Sequence, residues 1–381
     1  DRVWQTTPIL ENRLKAFLYF TLTSGRLFGK TLKTSALSAI EFALAPKAVK
    51  AFLGFAALMN GRLFKGNMHF QALGTSFRIW SDGIVSPLFE ELDSTCKLIA
   101  KEYDDVDGRR ELLNDPEFIQ QFRDDWHHGR GENDLASIKA RLGMPDVVVP
   151  RDFGIMTFDG APITEWDGET FQQVYNRLEA YQRGQADQAR SDAERDAFDK
   201  FPRPIRDDAD FMLHMMREYD KGFRYWVDVA NVGNKATLDL LLHKHTLPGF
   251  NDSGAHITNM AFFDANLNSL KLAQQKSLET VSTIVKRLTS EPAAFFGLDV
   301  GTLELGDQAD ITMIDPEALR DWDDLSGREL IYRELFEHQQ MVSRSDGVVT
   351  HTFINGEAVW RNGDHTEALG TKTLGRALRA A

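Results

Sequence analysis

An aspartate and a histidine lie four residues apart in residues 247–256, which read LPGFNDSGAH. Five uncharged residues precede Asp252 and are expected to form a short strand, while the small residues after it leave the space above its carboxylate open. A carboxylate so placed can accept and return a proton, and His256 adds a second titratable group. An Asp also commonly caps the turn or helix that follows it. Asp252 is therefore a candidate catalytic group, with capping as the alternative.

Residues 222–250 are predicted to place this aspartate at the end of a strand. GFRYWVDVANV is rich in β-branched and aromatic residues, KATLDLLLHKH is helical in composition, and TLPGF is a short apolar run. A strand, a helix and a strand with short connections predict a βαβ unit, and therefore a parallel sheet. In parallel α/β folds the reactive groups lie at the C-terminal ends of strands, which is where this pattern puts Asp252.

The chain before this unit is mostly helical in composition. Residues 3–9 and 66–73 are strand candidates, and residues 11–64 form a helical stretch interrupted by two glycines and Pro46. Residues 90–220 are polar and rich in predicted helix. Helices packed on a larger core are the favoured interpretation of residues 11–64, with an interfacial amphipathic helix as the alternative.

The chain after the unit changes from helix to short strands. A helix is predicted from Ser277, a suitable N-cap, to Gly297, a suitable stop. Beyond Gly301 apolar residues alternate, and Asn355-Gly356 is a strong two-residue hairpin signal. These C-terminal residues are interpreted as structural.

Composition limits the classes of function. The 381 residues carry a net charge of −13, which argues against a nucleic-acid binder, and the single cysteine, Cys96, is typical of a reducing compartment, so a cytoplasmic location is expected. No apolar run is long enough to span a membrane. The first 66 residues hold ten Lys or Arg against three Asp or Glu, so contact of residues 11–65 with a membrane surface is a less favoured alternative. The chain begins DRVWQTTPI without Met, and we expect the N-terminus to be incomplete.

Four motifs in sequence order give a resemblance to a known family. LPGFNDSGAH is followed by ETVSTIVKRLTSEPAAFFGL, GTLELGDQADITMID and THTFINGEAVWRNGDHT. Together they resemble the C-terminal half of the amidohydrolase superfamily, in particular its N-acyl-D-amino-acid deacylase (D-aminoacylase-like) branch. The resemblance runs from about Gly222 to the end and is weaker over residues 66–126.

The resemblance implies an α/β fold. It would be a TIM-type (β/α)8 barrel, expected to be incomplete at its N-terminus, in residues 1–298, with a helical insertion at about 90–220. Residues 299–381 would be the C-terminal part of a small β-sandwich domain built from both chain ends.

The resemblance also implies a metal site. Members of the superfamily bind one or two divalent ions, usually zinc, at the barrel mouth, and Asp252 matches the aspartate that touches the metal and accepts a proton from the attacking water. Asn251, Ser253 and His256 are the corresponding candidates for substrate binding. His69 is the candidate second metal ligand because the family has histidines on its fifth and sixth strands, with a core or loop histidine as the alternative.

The sequence departs from the family where most metal ligands are expected. The family's first strand carries a His-x-His pair, and a bridging lysine or cysteine lies on another early strand. The His-x-His of this chain is HKH at residues 243–245, which lies before the last strand and is interpreted as surface. His127 and His128 are adjacent and are interpreted as exposed or loop residues.

The expected function is metal-dependent hydrolysis of a linear, non-peptide amide such as an N-acyl amino acid, with a small-molecule amide as the partner. Arg224 and Arg344 are candidates for binding a substrate carboxylate. The alternatives are a cyclic-amide hydrolase of the same superfamily and a catalytically inactive scaffold or membrane-surface protein. A homo-oligomer is left open.

Overall fold

The structure, a computed structural model, describes residues 33–39, 46–128, 150–250, 258–262 and 264–379. The chain divides into two compact units. One comprises the described residues of Asp1–Phe42, Ala48–Ser76 and Asn231–Ala381, and the other those of Ala43–Lys47 and Phe77–Ala230. The fold is mixed α/β. The closed barrel, the sandwich and the domain limits predicted from the sequence stay predictions.

The first unit is built on a parallel sheet with the strand order β1 (Lys33–Ala39), β2 (Asn67–Ala72) and β6 (Thr246–Pro248). Phe70 and Ala72 of β2 face a buried cluster of apolar side chains from neighbouring helices. Those helices are α1 (Pro46–Met59), α9 (Asn234–Leu241), α10 (Ala265–Gln274) and α11 (Leu278–Leu288).

The predicted C-terminal helix is present with the predicted caps. The hydroxyl of Ser277 accepts a hydrogen bond from the Thr280 N–H at 3.1 Å, and Gly297 ends the helical stretch in the left-handed conformation. The stretch is broken at Thr289, so that α12 (Ser290–Phe296) follows α11 as a separate helix.

The C-terminal β-rich part has a four-stranded antiparallel sheet and a separate two-stranded ribbon. The sheet order is β12 (Asp364–His365), β11 (Glu357–Arg361), β10 (Val349–Ile354) and β7 (Ile311–Ile314). Asn355 and Gly356 join β10 to β11 with positive φ at both residues, as the hairpin signal predicted. A short helix, α13 (Pro316–Asp321), and the ribbon of β8 (Arg328–Arg333) and β9 (His338–Ser343) lie between β7 and β10 in sequence.

The second unit has an antiparallel sheet with the order β3 (Phe77–Asp82), β5 (Arg224–Ala230) and β4 (Met156–Phe158). Its helices are α2 (Pro87–Glu91), α3 (Cys96–Ile99), α4 (Val106–Asn114), α5 (Pro116–His128), α6 (Phe171–Gln182), α7 (Asp192–Lys200) and α8 (Asp208–Tyr219). Aromatic side chains form the core, with the rings of Phe158 and Phe171 stacked at 4.2 Å and Tyr225 5.0 Å from Phe171.

The predicted βαβ unit is wrong. β5 and α9 form as expected, but β5 pairs with β3 on one edge and β4 on the other, both antiparallel. Both edges are therefore occupied, and β6 pairs instead with β2. The prediction that β6 lies in a parallel sheet is correct. Its neighbouring strand, however, lies about 175 residues earlier in the chain, and the local sequence pattern did not reveal this.

Candidate functional site

The segment that carries Asp252 leaves the sheet at the C-terminal end of β6. The backbone N–H groups of Gly249 and Phe250 donate to the carbonyl oxygen of Ala72, at 3.2 and 3.4 Å. Ala72 is the last residue of β2, so the two parallel strands end together. Gly249 has a φ of +121°, a backbone conformation that residues other than glycine rarely adopt. The predicted site residues after it lie outside the described residues: Asn251, Asp252, Ser253 and His256.

The loop after β2 is held at this same end by two asparagines. The buried side chain of Asn231 donates to the carbonyl oxygens of Leu73 and Thr75, both at 3.1 Å. Asn268 of α10 donates to the Gly74 carbonyl at 2.7 Å. A Cβ at Gly74 would lie 2.4 Å from a backbone oxygen of α10, so only glycine permits this approach.

Four polar residues, here called the rim cluster, meet beyond that loop: Thr75, Asp264, Asp324 and Arg328. The Thr75 hydroxyl donates to Asp324 Oδ2. Arg328 Nη2 donates to the Thr75 hydroxyl at 3.2 Å and lies 3.4 Å from Asp324 Oδ2. The cluster ties the end of β2 to the start of β8.

Asp264 is the electrostatically perturbed member of the rim cluster. Burial raises the pKa of its carboxyl, and the charge of Asp324 adds to the rise, whereas Ser343, Ser345 and Arg328 oppose it. A carboxyl that keeps its proton more readily can act as a donor. Sequence reasoning missed the cluster because its members lie in unrelated loops, and no local spacing signals their meeting.

His69 lies at the other end of β6. Phe70 is paired with Thr246, so His69 is level with the residue that precedes β6. Its Nε2 is 3.0 Å from Asn67 Oδ1, and its ring packs edge-on against Phe295 at 5.1 Å. Nδ1 is buried and has no hydrogen-bond partner among the described residues. Burial lowers the pKa of His69, and the nearby positive charge of Arg287 lowers it further.

His245 is buried beside His69, with ring centroids 6.5 Å apart. Its interpretation as a surface residue is therefore wrong, because pairing of β6 with β2 covers it. The Met68 N–H donates to Asn60 Oδ1 at 2.6 Å, which fixes the amide of Asn60 with Nδ2 as the donor. His245 Nδ1, 3.0 Å from that nitrogen, must then accept, so the neutral ring carries its proton on Nε2. Burial also lowers the pKa of His245.

Arg287 of α11 holds the start of β6 in place. Its Nη2 donates to the carbonyl oxygens of His243 and Thr246, at 2.9 and 2.5 Å, and to the Thr246 hydroxyl at 3.1 Å. The side chain is only 7% exposed, and its nearest carboxylate, on Glu291, is 3.6 Å away. Burial lowers the pKa of Arg287.

The described surroundings of His69 do not fit a divalent metal. A buried guanidinium is close by, and within the described part of the chain His69 belongs to no group of three or more His, Cys, Asp or Glu side chains that could share a metal ion. The described residues bring three potential ligands together in one place, at His127, Asp207 and Asp208 of the second unit. Arg123 already pairs with Asp207 at 2.5 Å and with Asp210 at 2.6 Å, so the Asp207 carboxylate is engaged in an ion-pair network. The metal roles predicted for Asp252 and His69 stay predictions.

The two arginines proposed for a substrate carboxylate have partners within their own units. Arg224 Nη1 is 2.6 Å from Asp82. Arg344 is more exposed, lies 3.5 Å from Glu329, and lines an open surface cavity of about 380 Å³ in the β-rich part. His127 and His128 end helix α5 and are exposed, as expected.

Comparison with known families identifies the C-terminal segment. Residues 249–359 match the amidohydrolase family. The match begins where the chain leaves β6, includes Asp264, Asp324 and Arg328 of the rim cluster, and ends in β11. It confirms the resemblance to the amidohydrolase superfamily.

Individual relatives extend the similarity over nearly the whole chain. Uncharacterized proteins of Mycobacterium bovis and of Mycobacterium tuberculosis are 29% identical over 372 residues, which cover 95% of this chain and 53% of each relative. The chain thus spans about half the length of the curated relatives it matches. A dihydroorotase of Geotalea daltonii is 33% identical over 91 residues, which cover 24% of this chain and 20% of that protein.

One solved structure, of a D-aminoacylase whose study concerns a binuclear metal centre, is similar to part of the chain. It is 16% identical and covers 59% of this chain and 38% of that one, with a TM-score of 0.29. A TM-score this low does not establish a shared fold. No helix within the described residues is long and apolar enough to cross a membrane.

Proposed function

We propose, from the match of residues 249–359 to the amidohydrolase family, that the protein is a metal-dependent hydrolase of linear, non-peptide amides. N-acyl amino acids, as in the D-aminoacylase-like branch, are the proposed substrate class. Asp252 is the proposed catalytic residue.

The observation that carries this proposal is the place where the family match begins. Gly249 is both the first matched residue and the point at which the backbone leaves the paired ends of β2 and β6. Parallel α/β folds use this edge of the sheet for chemistry. The rim cluster supports the proposal because it lines up charged and hydroxyl groups beyond the same edge.

Asp252 has a defined proton task in this proposal. As water attacks the amide carbonyl, the Asp252 carboxylate accepts the proton that the water loses. It then returns that proton to the nitrogen as the C–N bond breaks, so that the amine leaves neutral. Asn251, Ser253 and His256 are proposed to contact the substrate. The proposed divalent metal, zinc by preference, would take further ligands from outside the described residues.

A second candidate is hydrolysis of a cyclic amide. The match to a dihydroorotase favours it, since that similarity reaches 33% identity over 91 residues. The two candidates share Asp252 and differ in substrate shape. Parallel assays with N-acetyl-D-amino acids and with dihydroorotate or hydantoin separate them.

The proposal is tested with Asp252→Asn, which keeps the size of the side chain and removes its basicity. We expect kcat to fall by roughly 100-fold or more while the fold is unchanged. Metal content measured by elemental analysis of the same samples shows whether the carboxylate also binds metal. The matched control is Asp239→Asn, an aspartate of α9 that is 62% exposed and paired with Lys235.

Two outcomes would contradict the proposal. Equal activity of Asp252→Asn and the unchanged protein would remove Asp252 from the mechanism. Absence of hydrolysis of any amide by the metal-loaded, unsubstituted protein would instead favour the inactive-scaffold alternative.

A further inference from the structure

The ribbon of β8 and β9 exposes an apolar stripe that the described residues leave uncovered. Only its base is buried, at Met341 and Val342. The four exposed apolar residues, with exposed fractions of 39 to 88%, are Leu330, Tyr332, Leu335 and Phe336. A two-stranded ribbon is at most marginally stable alone in water, and an exposed apolar stripe commonly marks an interaction surface.

The outer edge of β8 is also unpaired within the described residues. The ribbon is a sheet of two strands, so β8 pairs with β9 on one side only. The Arg344 N–H donates to the Gly327 carbonyl, which makes Arg328 and Ser343 a non-hydrogen-bonded pair. Alternation along an antiparallel ladder then directs the backbone groups of Leu330 and Tyr332 outward. These are the groups that an added strand would bind.

We propose that β8 pairs antiparallel with β8 of a second copy of this chain, across a two-fold axis at Ile331. The segment reads RELIYRE from Arg328 to Glu334, and it is self-complementary in this register. Glu329 lies opposite Arg333 of the second copy, and Ile331 lies opposite itself. Leu330 lies opposite Tyr332 of the second copy. The backbone N–H and C=O groups of both residues point away from β9, so the two strands can form backbone hydrogen bonds with each other at this pair.

Other registers lack this agreement. A shift of two residues that centres the axis on Leu330 places Glu329 opposite Ile331, and one that centres it on Tyr332 places Ile331 opposite Arg333. A shift of one residue places Arg328 opposite Arg333 and sets outward backbone groups against inward ones. Opposite charges directly across a strand pair are favourable and like charges are unfavourable, so charge selects the register centred on Ile331.

The test is a charge-swap cycle on the full chain, read by sedimentation velocity or light scattering across a wide range of concentration. Glu329→Arg and Arg333→Glu each place like charges opposite one another twice per dimer. Each is expected to weaken association by roughly tenfold or more. An equimolar mixture of the two variants restores both opposite-charge pairs and should form a heterodimer. The double variant Glu329→Arg/Arg333→Glu should form a homodimer.

Two controls separate the effect of pairing between strands from effects of net charge and of misfolding. Glu337→Arg changes the net charge equally on the same ribbon but lies outside the paired segment, and it should associate normally. Circular dichroism checks that every variant is folded. Glu329→Arg also removes the ion pair with Arg344, but both side chains are about half exposed, so the fold should tolerate this change.

Three outcomes overturn the proposal: a monomeric unsubstituted chain at every concentration, single variants that associate as tightly as the unsubstituted chain, or a mixture of folded single variants that stays monomeric. None of these measurements uses activity, so the proposal stands or falls separately from the proposed hydrolase function.

Discussion

Both ends of β6 are surrounded by polar and charged side chains, but those at its start hold the strand in place and those at its end lie where catalysis is proposed. At its start, His245 and Arg287 are buried and His69 is partly buried, and their hydrogen bonds go to backbone carbonyl groups, to the Asn67 and Asn60 amides and to the Thr246 hydroxyl. At its end, the family match begins and the carboxylates of the rim cluster gather. This is the division expected in parallel α/β folds, in which one end of the strands provides stability and the other provides chemistry.

The comparison is tested most strongly by Arg287→Met, which keeps the length of the side chain and removes its charge. Three oxygen acceptors at the start of β6 each lose one charged donor, and the two on Thr246 are buried. We expect the free energy of unfolding to fall by about 2–4 kcal/mol in urea denaturation. Lys286→Met, on the exposed face of the same helix, is the control and should change it by less than about 0.5 kcal/mol. Equal effects of the two substitutions would contradict a structural role for Arg287.

A smaller effect is expected from His69→Leu. The substitution loses the contact with Asn67 but also removes a buried nitrogen that has no partner among the described residues. These changes oppose one another, so unfolding free energy should change by about 1 kcal/mol or less, with metal content and activity retained. Elemental analysis and urea denaturation of the same preparation distinguish a structural role of His69 from a role as a metal ligand. Loss of bound metal without loss of stability would instead support the metal role predicted for His69 from the sequence.

Much of the local structure was predictable because its signals are local. The strand at residues 67–72, the cap at Ser277, the stop at Gly297 and the Asn355-Gly356 turn all follow from side chains acting within a few residues. The amidohydrolase resemblance was likewise carried by contiguous motifs.

Long-range pairing was not predictable in the same way. The pairing of β6 with β2 buries His245, while HKH alone suggested an exposed helix end. The rim cluster joins residues 75, 264, 324 and 328, whose types are ordinary for loops. Single-sequence patterns indicate which residues form a strand, but the choice of neighbouring strand depends on the packing of the whole unit.

The smallest predicted effect is on pH dependence, and its sign separates the two ends of β6. Burial lowers the pKa of His69 and His245 below 6.5, so the unfolded chain binds protons first as the pH falls. Their contribution to stability is therefore complete above about pH 6.5 and is lost as the pH falls below it. For Asp264 the pKa is raised, so its contribution is present below about pH 3.8 and is lost as the pH rises through the folded-state value.

Urea denaturation between about pH 7.5 and 5 should show a smaller decline in the free energy of unfolding for His245→Gln than for the unsubstituted protein, because the amide does not titrate. The exposed-site control His365→Gln should leave the decline unchanged, and an equal decline in all three proteins would mean that the start of β6 does not depend on a neutral histidine.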